Sequence, residues 1–310
     1  MRRAVLATII ASAVVTPSAA GDGLPVLGID VGSTGVTAPE AVSRYVTIPS
    51  TAGTLVERIR RDGGQVLAAT LMPGTFTIPA VAYDASAGGL SGDRHTLVLI
   101  EPRTSFPRAA TKLLVLHVPS LRYRTTVTLH GDFSFDAVSP DGRRVYLIQY
   151  LSKTDPTRYA VRSYDLATRR LQPKPVVDPA NADEKMRGQP LSRAAGADGR
   201  WAYTLYDGGG GTPFVHALDT ARGTARCIDL DGLDASTLWR LRLRMTDGGS
   251  SLSVLDGTKT VLSIDTSTLT VESGHAGRPW WPFAAVAGIA AIVLAAGRRV
   301  RRRLVPDFAP

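Results

Sequence analysis

The residues best equipped for chemistry are few and scattered. Histidines stand at 95, 117, 130, 216 and 275, the single cysteine at 227, and most aspartates lie singly beside turn residues. No histidine pair has metal-ligand spacing and no Cys-x-x-Cys occurs, so a zinc site could arise only from ligands converging from distant strands. A serine nucleophile would need an elbow such as Gly-x-Ser-x-Gly, and none is present. Acid–base work would need two facing carboxylates. Of Asp136, Asp141, Asp155, Asp165, Asp219 and Asp265, the positions 141, 165, 219 and 265 recur as turn residues whose side chains bond local amides. Asp136 differs. It follows Phe133 and Phe135 on an expected innermost strand, which makes it the one candidate to face a central channel. The run Asp207 to Gly211 lacks the Lys-Ser/Thr and the helix of a phosphate-binding loop. Thr212-Pro213 and a strand follow, so it reads as a hairpin tip. Cys227, beside Ile228 in ARCIDLD, reads as a buried thiol; alone, it cannot form an internal disulfide.

The elements that must carry these residues repeat. An apolar run, an Asp-Gly or similar pair, and a second apolar run recur in SGDRHTLVLI, SPDGRRVYLI, GADGRWAYTL and TDGGSSLSVL. The turn residues are Asp93, Asp141-Gly142, Asp198-Gly199 and Asp247-Gly248, the aspartates 48, 57 and 49 residues apart. Asp-Gly between alternating runs is a strong hairpin signal because glycine accepts positive φ. A second turn follows each in SYDLATRRL, ALDTARGTA and SIDTSTLTV, with Arg60 and His117 at the corresponding positions of two weaker copies. Units of about 50 residues with room for four short strands predict an all-β fold, a β-propeller of about five four-stranded blades over 25–273, with six or seven blades open. In the third unit the strands are FSFDAVS, RRVYLIQY, RYAVRSYDL and RLQPKPVV; in the fourth, PLSRAAG, RWAYTLYD, PFVHALD and ARCIDLD. VLGIDV at 26–31 is expected as the innermost strand of the first unit. A two-sheet sandwich is the alternative, disfavoured by the hairpin spacing.

The units SPDGRRVYLIQY…YAVRSYDLATRRL and DGRWAYTLYD…PFVHALDTARGTA resemble the YncE/YVTN family of bacterial surface propellers and, less closely, TolB-type and WD40-like repeats. The resemblance covers roughly 44–273 and implies a propeller. It implies no chemistry, because its motif residues make turns and propellers host many functions.

The two ends read as targeting elements. Residues 1–20 have a basic start, an apolar run from Ala4 to Val15, and Ser18-Ala19-Ala20 for cleavage, which is a signal-peptide pattern. After a linker at 274–279, residues 280–297 are uncharged, with Trp280 and Trp281 at one end. They are expected to form one C-terminal transmembrane helix. Arg298, Arg299, Arg301, Arg302 and Arg303 then act as a stop-transfer signal and place the tail 298–310 on the cytoplasmic side. The formal charge is +9, yet the two ends supply six of those units and leave +3 over 21–279. A nucleic-acid partner is therefore not expected.

Together these features predict a single-pass cell-membrane protein whose extracytoplasmic domain binds another envelope protein or a cell-envelope ligand. The alternatives are a hydrolase or lactonase-like propeller with a metal or acid–base site at its channel, and a structural accessory subunit. No catalytic residue and no cofactor is predicted, with calcium and zinc left open. The polar, proline-rich segment 173–190 is the loop where partner contacts are expected to concentrate.

Overall fold

The computed structural model describes residues 35–37, 41–183 and 186–273. The signal sequence, the strand expected at 26–31, His275, the linker, the span at 280–297 and the arginine tail lie outside the described residues. Among the described residues no helix is long and apolar enough to cross a membrane.

Five antiparallel sheets follow one another along the chain. The first holds β1 (Ser43–Ser50), β2 (Gly53–Arg60) and β3 (Val66–Met72), and the second β4 (Thr96–Ile100), β5 (Ala110–His117) and β6 (Arg122–His130). The third runs β7 (Phe133–Val138), β8 (Arg144–Tyr150), β9 (Tyr159–Asp165) and β10 (Arg170–Leu171). The fourth runs β11 (Pro190–Ala195), β12 (Trp201–Tyr206), β13 (Phe214–Asp219) and β14 (Thr224–Asp229). The fifth runs β15 (Leu241–Thr246), β16 (Ser251–Asp256), β17 (Lys259–Asp265) and β18 (Thr270–Ser273).

Side-chain alternation explains how the sheets stack. On β8, Val145 and Leu147 face one neighbour while Tyr146 and Ile148 face the other, and all four are buried. Apolar layers join the first sheet to the second, the second to the third, the third to the fourth and the fourth to the fifth. Each sheet is too small to hide both faces alone, so the repeat stabilises only as an array. Among the described residues no such layer joins the fifth sheet to the first. The outer face of the first is apolar, with Ile48 and Leu71 exposed; that of the fifth presents Arg242 and Arg244.

Both turn families form where the repeat places them. The Asp93 carboxylate accepts from the Ser91 hydroxyl and the His95 N–H, Asp141 from the Ser139 hydroxyl and the Arg143 N–H, and Asp198 from the Arg200 N–H. Asp247 and Gly248 both take positive φ in the corresponding turn of the fifth sheet. In the outer turns Asp165, Asp219 and Asp265 each accept two backbone N–H groups from two and three residues on. The residue four positions further on has positive φ: Gly64, Leu121, Arg169, Gly223 and Leu269. The weaker copies starting at Arg60 and His117 thus keep the backbone of the turn without its aspartate.

Three expectations need correction. The first two sheets have three strands, not four, among the described residues. The strand predicted over RLQPKPVV shrinks to Arg170–Leu171 and a bridge from Val176 to Val161. Pro173 and Pro175 lack the N–H a ladder needs. In the second sheet the innermost position is broken. Thr77 bridges Ile100 and Leu90 bridges Leu97, and a tight hairpin (Ala80 paired with Ala87) lies between them. That hairpin leaves its own sheet: the N–H groups of Tyr83 and Asp84 donate to the carbonyls of Pro190 and Leu191, at the start of β11.

Candidate functional site

Asp136 lies on β7 and is buried. One cavity of about 140 Å³ is lined there by Thr37, Gly89, Gly92, Asp136, Arg193 and Gly196, which come from the inner segments of the first four sheets. On its other side Asp136 lines a smaller space of about 30 Å³ with Tyr83, Tyr150, Tyr159, Gln189 and Tyr206. The carboxylate is buried, and Arg193 of β11 donates to both its Oδ1 and the Asp136 carbonyl. This ion pair ties the third sheet to the fourth. It engages Oδ1 alone; Oδ2 is buried with no hydrogen-bond partner among the described residues.

A second buried charge group stands at the rim. Asp132, 4% exposed, receives Arg103 at 2.6 Å and the Arg108 backbone N–H at 3.1 Å, with the Arg108 Nε 3.3 Å away. Arg103 also donates to Ser134, whose hydroxyl lies 3.1 Å from that of Tyr150, and its guanidinium sits 4.9 Å from the Tyr150 ring. Burial, with Arg103 nearby, lowers the Arg108 pKa to about 10. Burial likewise raises Tyr150 to about 12 and Tyr206 well above its ordinary range, so both phenols stay neutral. The loop 101–108 is thereby clamped to β7 by charge-assisted bonds.

Two further spaces lie between the third and fourth sheets. A groove of about 720 Å³ is lined by Leu151, Arg158, Tyr159, Pro175, Met186 and Arg187 among others. A neighbouring cavity of about 260 Å³ is lined by Val176, Asp178, Met186, Phe214, His216 and Cys227 among others. Both use the proline-rich segment that the sequence marked for contacts. The glycine tip is a 3-10 turn at Gly208–Gly210 whose Asp207 carboxylate caps the N–H groups of Gly209 and Gln189, holding tip and segment together. His216 is buried on β13, and burial lowers its pKa to about 4. Among the described residues no three His, Cys, Asp or Glu side chains gather as a metal set.

Sequence reasoning located the turns, and it singled out Asp136 and the segment 173–190, both of which line cavities. It missed Arg193, Arg103, Arg108 and Asp132. A signal existed for Arg193: it interrupts an innermost strand, as Asp136 does, and opposite charges on two innermost strands suit an inter-sheet pair.

The fold and these cavities define a propeller-like, all-β protein with clefts between sheets. No protein-family model matches the chain, and no curated protein does. Among solved structures it is similar to a puromycin hydrolase, at 18% identity and TM-score 0.45, over 82% of this chain and 39% of that one. It is also similar to the Dos1 propeller (11%, TM-score 0.43, 79% and 59%) and to TolB from Acinetobacter baumannii (16%, TM-score 0.39, 74% and 51%). The chain spans less than two thirds of each of these three. Its architecture rests on its own sheets and layers.

Proposed function

We propose that this chain is a membrane-anchored, extracytoplasmic binding module that takes a protein or cell-envelope ligand into the groove between its third and fourth sheets. The groove carries the reading. Its 720 Å³ falls in the size range of ligand sites, and it combines exposed Leu151 with polar groups such as Arg158 and Arg187. The segment forming one wall is a surface loop braced by Asp207 and Asp178, the arrangement by which rigid scaffolds present recognition loops. The hydrolase reading has less support, because Asp136 is paired with Arg193 through Oδ1 and no second carboxylate lines the same cavity among the described residues.

Anchoring is proposed through residues 280–297, with the arginines at 298–303 retained on the cytoplasmic side. Deleting 280–303 is expected to release the domain to the medium, read by fractionation; retention in membranes overturns the anchor. For the groove, a photoreactive side chain at Leu151 of the full-length protein in its own cells is expected to capture one envelope component. The same group at Tyr123, exposed on the second sheet, is the control. Equal capture from both positions, or none from Leu151, overturns the groove.

A further inference from the structure

The outer edge of β9 is left open where the groove runs beside it. Along an antiparallel strand, successive residues turn their N–H and C=O groups to one neighbour and then to the other. Val161 and Ser163 belong to the outward set, for their carbonyls accept from the N–H groups of Val176 and Gln172, each at 2.8 Å. Arg158 belongs to the inward set, its carbonyl accepting from the Leu151 N–H. Tyr159 therefore presents its N–H and C=O outward, and no backbone bond to either is present among the described residues. The cause lies in the sequence. Pro173 and Pro175 cannot donate to a ladder, so the outer strand ends at Leu171 and meets β9 once more at Val176. The chain then leaves for the fourth sheet, where the Val177 carbonyl accepts from the Ala225 N–H. The groove occupies the space so left. Tyr159, Ala160 and Val161 line it in succession, residues from both faces of the strand, so it abuts the strand's edge rather than one face.

Given the groove as the ligand site, on which this inference rests, the geometry points to one occupant: an extended, acidic polypeptide segment added to β9 as an antiparallel strand. Main-chain pairing at an open sheet edge is an established mode of peptide recognition. Antiparallel pairing suits an opening this short, because one residue of the peptide then exchanges both bonds with Tyr159. Leu151, exposed on the groove, offers that peptide an apolar contact. Charge selects its composition. Arg158 and Arg187 line the groove, and Lys153 and Lys174 stand exposed within two residues of its lining, against the carboxylates of Asp155 and Asp183. Asp155 is further engaged by the Thr157 N–H and hydroxyl. The rim is cationic on balance and attracts a carboxylate-bearing chain.

The test presents a random decapeptide library on phage to the full-length protein in detergent. Peptides rich in Asp or Glu are expected to be enriched. Made synthetically, the best of them is expected to bind Arg187→Glu about 10-fold more weakly than the wild type. Each amide of that peptide is then N-methylated in turn, which removes one donor at a time. The loss is expected to be about 10-fold at the amide that faces Tyr159 and small at its two neighbours, whose N–H groups point away from β9. Bound peptide is also expected to slow hydrogen exchange of the Tyr159 amide about 10-fold or more. No enriched peptide, unchanged affinity in Arg187→Glu, equal losses at neighbouring amides, or unchanged exchange at Tyr159 overturns the added strand. The groove is judged separately by the photoreactive group at Leu151. Capture of a glycan or lipid there upholds the groove and sinks the strand, whereas absence of capture sinks both.

Discussion

The second and fourth sheets meet the axis in different ways. The fourth sends a continuous strand, β11, to the centre and turns at Asp198-Gly199, as its repeat prescribes. The second has only two isolated bridges at that position, and the chain between them crosses to hydrogen-bond to β11. Glycines allow close approaches on either side of the crossing. A Cβ on Gly92 would overlap the Asp198 carbonyl, and one on Gly88 would crowd Phe135 and Val81. The two sheets are thus linked directly as well as through the third. A regular repeat builds a blade, and a departure from it can build the contact that fixes blades relative to each other.

The largest test breaks the fourth sheet's hold on the third. Arg193→Ala leaves Asp136 buried without its cation and is expected to cost ~3–5 kcal/mol, read by chemical denaturation. An unchanged midpoint would mean the pair contributes nothing. Next comes pH. Burial holds His216 neutral with a pKa of about 4, whereas the unfolded imidazole titrates at its ordinary value of 6.5. Between these values the unfolded chain binds more protons, so stability falls as pH falls from 6.5 to 4, by ~3 kcal/mol for a shift of this size. Hydrogen exchange should show the fourth sheet loosening before the second; the reverse order would place the sensitive group elsewhere. Below pH 4 the loss continues, because hydrogen bonds from Ser267 and Thr268 hold Asp265 at about 2. Such a carboxylate contributes stability only above its unfolded pKa, and loses it as pH falls through its folded one.

Gly92→Val attacks a second close approach of the two sheets, at the Asp198-Gly199 turn, and is expected to cost ~2–3 kcal/mol. Gly142→Val, where φ is positive and a Cβ would meet the Thr96 hydroxyl, should cost ~2 kcal/mol in thermal melts. Gly210→Ala gives the smallest change, ~1 kcal/mol or less, because the position has positive φ but open space around it. If Gly210→Ala destabilised more than Gly92→Val, the axis would not be where the sheets are locked.

Legibility followed the same division. The strands of the fourth sheet stand almost residue for residue where alternation and turn chemistry put them, because each reports a local need: an apolar face, or an amide waiting for a carboxylate. Asp219 and Asp265 are visible in this way. The hairpin at 80–87 is not, because its bonding partners lie over a hundred residues away and are backbone groups with no residue signature. Arg103 and Asp132 likewise pair across 29 positions, within segments that read as ordinary loop and turn.

Among the described residues five sheets share four apolar seams, and the outer faces of the first and the fifth are chemically unlike. Forced open, such a molecule would unzip from its termini inward, the greasy first sheet and the arginine-faced fifth peeling away while the cross-braced middle still holds its shape.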